Sequence, residues 1–292
     1  MTTIDLDRDA ELVRSFDGTL LAARKIGEGS KTPLLISNAV GANLAAWRRV
    51  LTGLDDERPV IAWDMRGLHE SLPAESDRND PGAHAEDALS VIDHFGIDKF
   101  SIASWSNGAR VALEISKRYP ESVASLAIVS GGYGHSLAKL MRLDPRGLLP
   151  SLAGVVKHFA GWLEGPIKGL TTRPEFAGIV RQSGLIAATA DTNLMVEMLR
   201  GMAACDGKTL LATYESIAGD SGEDILDTVM APTMIVVGER DQFTSRRVSE
   251  EMARRIPTAA LHVYERATHY LPIEYPARLA DDLRAFWDEL KL

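Results

Sequence analysis

The residues with the clearest chemical potential lie in the stretch Ser104-Trp105-Ser106-Asn107-Gly108. An apolar run before it predicts a buried strand, and helically spaced apolar residues after it predict a helix. A sharp turn between a strand and a helix lifts a serine hydroxyl clear of the sheet, provided that small residues let the two elements approach closely. The N–H groups at the start of the helix then face any negative charge that develops beside Ser106. The spacing favours a serine nucleophile, with a chance serine in an ordinary turn as the alternative.

This stretch resembles the Gly-x-Ser-x-Gly turn of the α/β-hydrolase superfamily. Gly108 matches the second glycine of that pattern, and Ser104, which is also small, stands in place of the first. The resemblance extends over nearly the whole chain outside a central helical segment. It implies an α/β-hydrolase fold, with a mostly parallel central sheet flanked by helices. It also implies that Ser106 is the nucleophile, followed along the chain by an acid and then by a histidine base.

Candidates for both partners occur in the implied order. Asp241 follows one predicted strand and His269 follows the next, and open parallel sheets keep their sites at the carboxyl ends of such strands. A serine needs a base to accept its proton, and the base needs a carboxylate to hold it in the right tautomer. The resemblance therefore implies a catalytic triad of Ser106, Asp241 and His269, with Glu239 as a local rival for the acid.

The chain has seven histidines that compete for the role of the base. Six of them are interpreted as surface or packed residues, because they lie on a predicted helix, inside a strand, in the central helical segment or too early in the chain. They are His84, His94, His262, His135, His158 and His69.

An oxyanion beside the nucleophile needs two preorganised N–H donors. One is the backbone N–H of Asn107, directly after Ser106. The resemblance places the other in the loop 37–43, where Asn38 takes the position of a histidine frequent in the family and Val40 supplies the N–H. An ordinary strand-to-helix turn is the alternative for this loop. The Ser-Asn-x-x-Gly loop, with Trp47 downstream, is similar to that of β-ketoadipate enol-lactonases.

Other features narrow the resemblance within the superfamily. A serine nucleophile argues against haloalkane dehalogenases and epoxide hydrolases, which use aspartate at that position. The Gly-rich oxyanion loop of meta-cleavage C–C hydrolases is absent, which argues against that subfamily. The segment 64–71 resembles the family's Asp-x-Arg-Gly-x-Gly-x-Ser turn, with His69 in place of the second glycine, and is interpreted as structural support.

Predicted strands alternate with predicted helices along most of the chain, which indicates βαβ units and a mostly parallel sheet. A hairpin on the Asp17-Gly18 turn precedes them. Buried strands are expected at 33–38, 58–64, 99–103, 125–130, 232–238 and 260–264, and helices at 43–54, 81–95, 108–119, 245–256 and 276–290. The chain between 131 and 227 is helical and rich in methionine. We therefore predict an α/β-hydrolase core domain over 1–132 and 228–292, with a helical cap inserted over 133–227.

Composition excludes several classes of function. The 292 residues carry a net charge of −9 with no Lys/Arg run, which argues against a nucleic-acid surface. The start of the chain is polar and no apolar run reaches membrane-spanning length, so we expect a cytoplasmic protein without a membrane partner. The single Cys205 excludes an intramolecular disulfide and a Cys-based zinc cluster. We expect no metal and no cofactor, and a small-molecule substrate as the partner, with a homodimer as an alternative to a monomer.

The expected reaction is cleavage of a carboxylic ester or lactone through an acyl-enzyme intermediate. Alternatives on the same triad are C–C bond hydrolysis, perhydrolysis and a slow-turnover small-molecule receptor. The basic residues of the cap segment are scattered, with no clustered arginine pair to bind a carboxylate or phosphate, so we expect a small to medium, largely apolar substrate. The residues predicted to contact it are Asn38, Trp105, Trp162, Met198 and Tyr270.

Overall fold

A computed structural model of the protein describes residues 9–54, 58–134, 178–179 and 181–292. Its eight strands are β1 (Glu11–Arg14), β2 (Leu20–Ile26), β3 (Leu34–Ser37), β4 (Val60–Trp63), β5 (Phe100–Trp105), β6 (Val123–Val129), β7 (Thr233–Gly238) and β8 (Ala259–Tyr264). The described α-helices are α1 (Arg48–Gly53), α2 (Pro81–His94), α3 (Gly108–Arg118), α4 (Thr192–Ala204), α5 (Gly207–Gly219), α6 (Arg246–Arg255), α7 (Leu271–Glu274) and α8 (Pro276–Leu290). Within the described ranges, 3-10 helices cover Leu44–Trp47 and Glu223–Thr228.

The strands form one sheet in the order β1-β2-β4-β3-β5-β6-β7-β8. The pairs β1–β2 and β2–β4 are antiparallel, and all the other pairs are parallel. Every residue of β3, β4, β5, β6 and β7 is buried, as expected for parallel strands covered by helices on both faces. The predicted fold class is therefore confirmed.

Alternate residues of each strand enter different cores, because successive side chains point to opposite faces of a sheet. Ile36 and Trp105 pack with Trp47 on the face that carries α1, α4 and α8. Leu35 and Ile102 pack on the face that carries α2, α3 and α6. The parallel register brings the carboxyl ends of β3, β5, β6, β7 and β8 to one edge of the sheet, where the loops that follow these strands meet.

Several elements differ from the sequence-based expectation. The strand predicted over 99–103 continues to Trp105, so that Ser106 is the first residue after it. The helix predicted over 43–54 is a 3-10 helix, Leu44–Trp47, followed by α1. The four-residue helix α7 was not predicted, because a single turn between two loops has no measurable hydrophobic period.

The segment between β6 and β7 contains α4, α5 and the 3-10 helix Glu223–Thr228 among its described residues. Its two ends meet, since the N–H of Gly222 donates to the carbonyl of Tyr133 at 2.7 Å. Ile225 and Leu226 are fully buried in the core on the α3 side. The division into a core and a cap over 133–227 stays a prediction, and 135–177 and 180 lie outside the described residues. No helix in the described ranges is long and apolar enough to cross a membrane.

Candidate active site

The turn between β5 and α3 holds Ser106 in a left-handed conformation, with φ 55°. Such a conformation costs a non-glycine residue roughly 1–2 kcal/mol, and strain of this kind clusters at functional sites. The N–H of Ser106 donates to the carbonyl of Val129 at 3.1 Å, and its own carbonyl accepts from Ala109 at 3.0 Å. The serine is therefore fixed by backbone bonds to the neighbouring strand and to the first turn of the helix.

The residues two positions on either side of Ser106 explain how the turn closes. A Cβ atom on Gly108 would lie 2.1 Å from the carbonyl oxygen of Ser37, so only glycine allows α3 to approach the end of β3 this closely. Ser104 stands where the family has its first glycine, and its hydroxyl donates to the carbonyl of Ala127 at 3.1 Å. The departure from the family pattern is thus accommodated by a buried hydrogen bond.

The structure brings Ser106, His269 and Asp241 together. Nε2 of His269 lies 2.8 Å from Oγ of Ser106. Nδ1 of His269 lies 3.0 Å from Oδ2 and 3.1 Å from Oδ1 of Asp241. The side chain of His269 is 8% exposed and that of Asp241 is fully buried. A carboxylate can only accept, so Nδ1 carries the proton and Nε2 is left to accept from the serine hydroxyl.

The carboxylate of Asp241 is oriented by its own loop. Its Oδ1 accepts from the N–H of Phe243 at 2.8 Å and from the N–H of Thr244 at 2.7 Å. The rival Glu239 is exposed and accepts instead from the N–H of Arg266 at 2.9 Å. Asp241, and not Glu239, is therefore the carboxylate that contacts His269.

The other described histidines lie elsewhere. His84 is buried in α2, and His94 at the end of that helix pairs with exposed Glu11. The side chain of His262 is 41% exposed, because β8 is an edge strand of the sheet. His135 and His158 lie outside the described residues.

The loop after β3 is held by Asn38. Its Oδ1 accepts from the N–H of Ala39 at 3.0 Å and from the indole N–H of Trp47 at 3.2 Å. Within the described part of the chain, no acceptor takes the N–H of Val40 or that of Asn107. The two predicted oxyanion donors are these N–H groups of Val40 and Asn107. The end of β3 and the start of α3 are joined beside them, because the Ser37 hydroxyl donates to the carbonyl of Gly108 at 2.9 Å.

A histidine that was expected only to support a turn also contacts this loop. His69 has φ 50°, and its Nε2 lies 3.1 Å from the carbonyl oxygen of Gly41. Its Nδ1 lies 3.6 Å from Sγ of Cys205, which follows α4. Burial opposes protonation of this ring, but the contact with Cys205 and the charge of Asp64 together raise the pKa of His69. His69 thus joins the loop after β3 to the segment predicted as the cap, a contact that no local sequence pattern predicts.

Three aromatic side chains surround His269. The ring of Phe243 lies 4.8 Å from that of His269, and the rings of Trp105 and Tyr270 lie 6.1 and 5.7 Å from it. The indole N–H of Trp105 donates to the carbonyl of His269 at 2.9 Å. Burial, followed by the charges of Asp241 and Glu274, raises the pKa of Tyr270, which keeps its phenol neutral. Sequence reasoning missed Phe243, although its place two residues after Asp241 was a usable signal.

The residues predicted to contact substrate have diverse surroundings. Asn38 and Trp105 are buried, and their polar atoms hold the loop after β3 and the loop after β8. Met198, a residue of α4, packs in the core on that side of the sheet, and Tyr270 is half-buried. Trp162 lies outside the described residues. Their contact with substrate stays a prediction. The described residues contain no group of three His, Cys, Asp or Glu side chains arranged to hold a metal ion.

Comparison with known proteins places this geometry in a family. The sequence profile of the alpha/beta hydrolase fold family matches residues 32–276. The chain is 25% identical over 272 residues to the dihydrolipoyllysine-residue acetyltransferase component of the acetoin cleaving system of Pseudomonas putida, covering 92% of this chain and 67% of that one. It is 25% identical over 261 residues to the 2-hydroxy-6-oxononadienedioate/2-hydroxy-6-oxononatrienedioate hydrolase of Pseudomonas sp, covering 85% of each.

Among solved structures, the enol-lactonase from Burkholderia xenovorans LB400 matches with a TM-score of 0.75 at 15% identity, over 95% of this chain and 100% of that one. At this level of identity the likeness shows a shared fold. The family profile covers most of the chain, and the sheet order and the serine turn agree with it. The chain therefore belongs to the α/β-hydrolase fold family.

Proposed function

We propose that this chain is a serine hydrolase that cleaves a carboxylic ester or lactone through an acyl-enzyme intermediate. The observation that carries the proposal is the relay from Ser106 through His269 to Asp241, with a 2.8 Å contact at the serine and a 3.0 Å contact at the acid. Within a hydrolase fold, a nucleophile and base at hydrogen-bond distance and an oriented base are the requirements for acyl transfer.

In the proposed mechanism, Oγ of Ser106 attacks the substrate carbonyl while Nε2 of His269 takes the hydroxyl proton. The backbone N–H groups of Asn107 and Val40 stabilise the oxyanion. His269 then protonates the leaving oxygen, which breaks the ester bond and leaves an acyl group on Ser106. A water molecule, deprotonated by His269, releases the acid and restores the serine. Asp241 stays ionised throughout and holds the imidazolium that forms twice in the cycle.

A second candidate is C–C bond hydrolysis on the same triad. The missing Gly-rich oxyanion loop argues against it, but the similarity to a Pseudomonas hydrolase named for 2-hydroxy-6-oxo substrates supports it at 25% identity. A nucleophilic serine serves both reactions, so the substrate decides between them. A slow receptor is the third candidate, and rapid turnover of any substrate would exclude it.

The proposal is tested by labelling and by turnover. A fluorophosphonate probe should label Ser106 of the wild-type protein and should not label Ser106→Ala. Aryl esters, lactones and vinylogous diketones should then be compared by kcat/KM. In a largely apolar pocket, each added acyl methylene is worth about 0.8 kcal/mol, or roughly a four-fold rise in kcat/KM until the pocket is full. Preferred turnover of a vinylogous diketone would favour the C–C reaction, and a preference for a charged acyl group would contradict the apolar substrate.

A further inference from the structure

A second carboxylate lies beside the base loop, residues 265–270, which carries His269. This carboxylate takes no part in the mechanism above. Glu274 ends α7 and is only 2% exposed. Its Oε2 accepts from the N–H of Thr268 at 2.7 Å. Its Oε1 accepts from the N–H of Ala187 at 2.9 Å and from the hydroxyl of Thr268. Within the described residues, each of its hydrogen-bond partners is an uncharged N–H or O–H group.

A buried carboxylate without a cationic partner is costly unless hydrogen bonds replace the lost water. Here the donors come from two separate parts of the chain. Thr268 directly precedes His269, whereas Ala187 belongs to the segment between β6 and β7 that leads into α4. A backbone hydrogen bond joins the same two parts of the chain nearby, because the N–H of Asp191 donates to the carbonyl of Ile273 at 3.1 Å. The carboxylate therefore joins the base loop to the segment 185–191.

We infer that Glu274 is a positioning residue that acts through Thr268 to hold His269 in place, and that this hold depends on the docking of the segment 185–191. The inference rests on the proposed function and deepens it. Asp241 fixes the base from one side, at its ring Nδ1. Glu274 fixes the backbone that carries His269 and connects it to Ala187, in the segment that precedes α4. Whatever moves this segment then changes the alignment of His269.

An amide cannot replace this carboxylate, which supplies an acceptor at each of its two positions. If the oxygen of a glutamine took the Oε1 position, its NH₂ group would face the N–H of Thr268. In the other orientation, the NH₂ group would face the N–H of Ala187. Either way one backbone N–H loses its partner, while the size and shape of the side chain stay the same. Glu274→Gln is therefore a test of the hydrogen bonds and not of packing.

The first experiment compares Glu274→Gln with the wild type by kcat, KM and the pH profile of kcat/KM. We expect kcat to fall by roughly 10-fold to 100-fold with KM changed by less than about three-fold. A misaligned base slows the chemical step and does not weaken substrate binding. The acidic limb of the pH profile should move as the surroundings of His269 change. Glu265→Gln, an exposed carboxylate in the same loop, is the matched control.

Activity is normalised to the fraction of Ser106 that the fluorophosphonate titrates. A normal kcat per titrated site in Glu274→Gln, even with a lower Tm, would mean that Glu274 is merely structural and would overturn the inference. An unchanged pH profile with unchanged kcat would overturn it as well.

The second experiment does not depend on turnover. The ring resonances of His269 are followed by NMR in the wild type, Glu274→Gln and Glu265→Gln. The resonance of the Nδ1 proton of His269 should change only in Glu274→Gln, and an unaltered ring spectrum would contradict the inference. If the wild-type serine is neither labelled nor active, the proposed function fails, but this measurement still tests the positioning role.

Discussion

The two halves of the candidate site are held in place by different means. On the nucleophile side, the loops after β3 and β5 are fixed by close backbone packing, with Gly108 pressed against Ser37 and Ser106 bonded to β6 through its N–H. On the base side, the loops after β7 and β8 are fixed by carboxylates, since Asp241 and Glu274 accept from backbone N–H groups around them. The nucleophile side should therefore be sensitive to added volume, and the base side to the loss of acceptors.

The largest effect is expected at the nucleophile itself. Ser106→Ala should lower kcat by roughly 10⁴-fold to 10⁶-fold, as removal of a nucleophile does in other serine enzymes. The Tm should stay close to that of the wild type, because the backbone bonds that shape the turn do not use the hydroxyl.

Ser104→Ala is the matched control on the same turn. It removes the hydrogen bond to Ala127 and should cost about 1 kcal/mol of unfolding free energy with kcat within a few-fold of the wild type. Near-normal turnover in Ser106→Ala would refute the serine mechanism.

On the base side, Asp241→Asn should lower kcat by about 10⁴-fold. The N–H groups of Phe243 and Thr244 require an oxygen at Oδ1, so the asparagine NH₂ group must face Nδ1 of His269. Nδ1 then has to accept, which puts the proton on Nε2 and abolishes the base. Steady-state kinetics measures the loss. Glu239→Gln is the control and should leave kcat almost unchanged. A larger loss of kcat in Glu239→Gln than in Asp241→Asn would show that the acid is Glu239.

The same contrast explains what the sequence was able to predict. Asp241 and His269 follow strands with strong apolar runs, and α8 occupies the expected range Pro276–Leu290. Local pattern is enough for such features. Glu274 was missed because its role depends on Ala187, which is 87 residues away. The contact of His69 with Cys205 spans 136 residues and leaves no local pattern either. Positions fixed by contacts distant in sequence can be recognised only once the fold is known.

A glycine substitution tests the packing of the nucleophile side. The Cβ atom of Gly108→Ala would lie 2.1 Å from the carbonyl oxygen of Ser37 and 2.6 Å from that of Asn38. Backbone cannot move aside as a flexible side chain does, so we expect a loss of roughly 2–4 kcal/mol in unfolding free energy. Urea denaturation measures it. Gly219→Ala, which meets nothing within 4 Å, should be neutral or slightly stabilising. Equal effects in the two variants would show that close approach at Gly108 is not under strain.

The smallest effect on catalysis is expected at His84, in the helix α2 that packs against α3, where the change concerns the pH dependence of stability. Its side chain is fully buried, and within the described residues neither ring nitrogen has a hydrogen-bond partner. Burial lowers the pKa of His84 from 6.5 to about 4. Between these two pH values the unfolded chain binds more protons than the folded one. The free energy of unfolding therefore falls as the pH drops from 6.5 to 4, by about 3 kcal/mol from this residue.

Replacing this histidine with an apolar side chain of similar size isolates its contribution. His84→Leu should flatten the pH dependence of unfolding between pH 6.5 and 4, measured by urea titration at several pH values. It should also equal or exceed the wild type in stability at pH 5, because it removes two buried nitrogens without partners. His94→Gln, on the exposed end of the same helix, should leave the steep dependence in place. If the free energy of unfolding fell equally in His84→Leu and the wild type between pH 6.5 and 4, the loss of stability would come from the carboxylates of the molecule and not from His84.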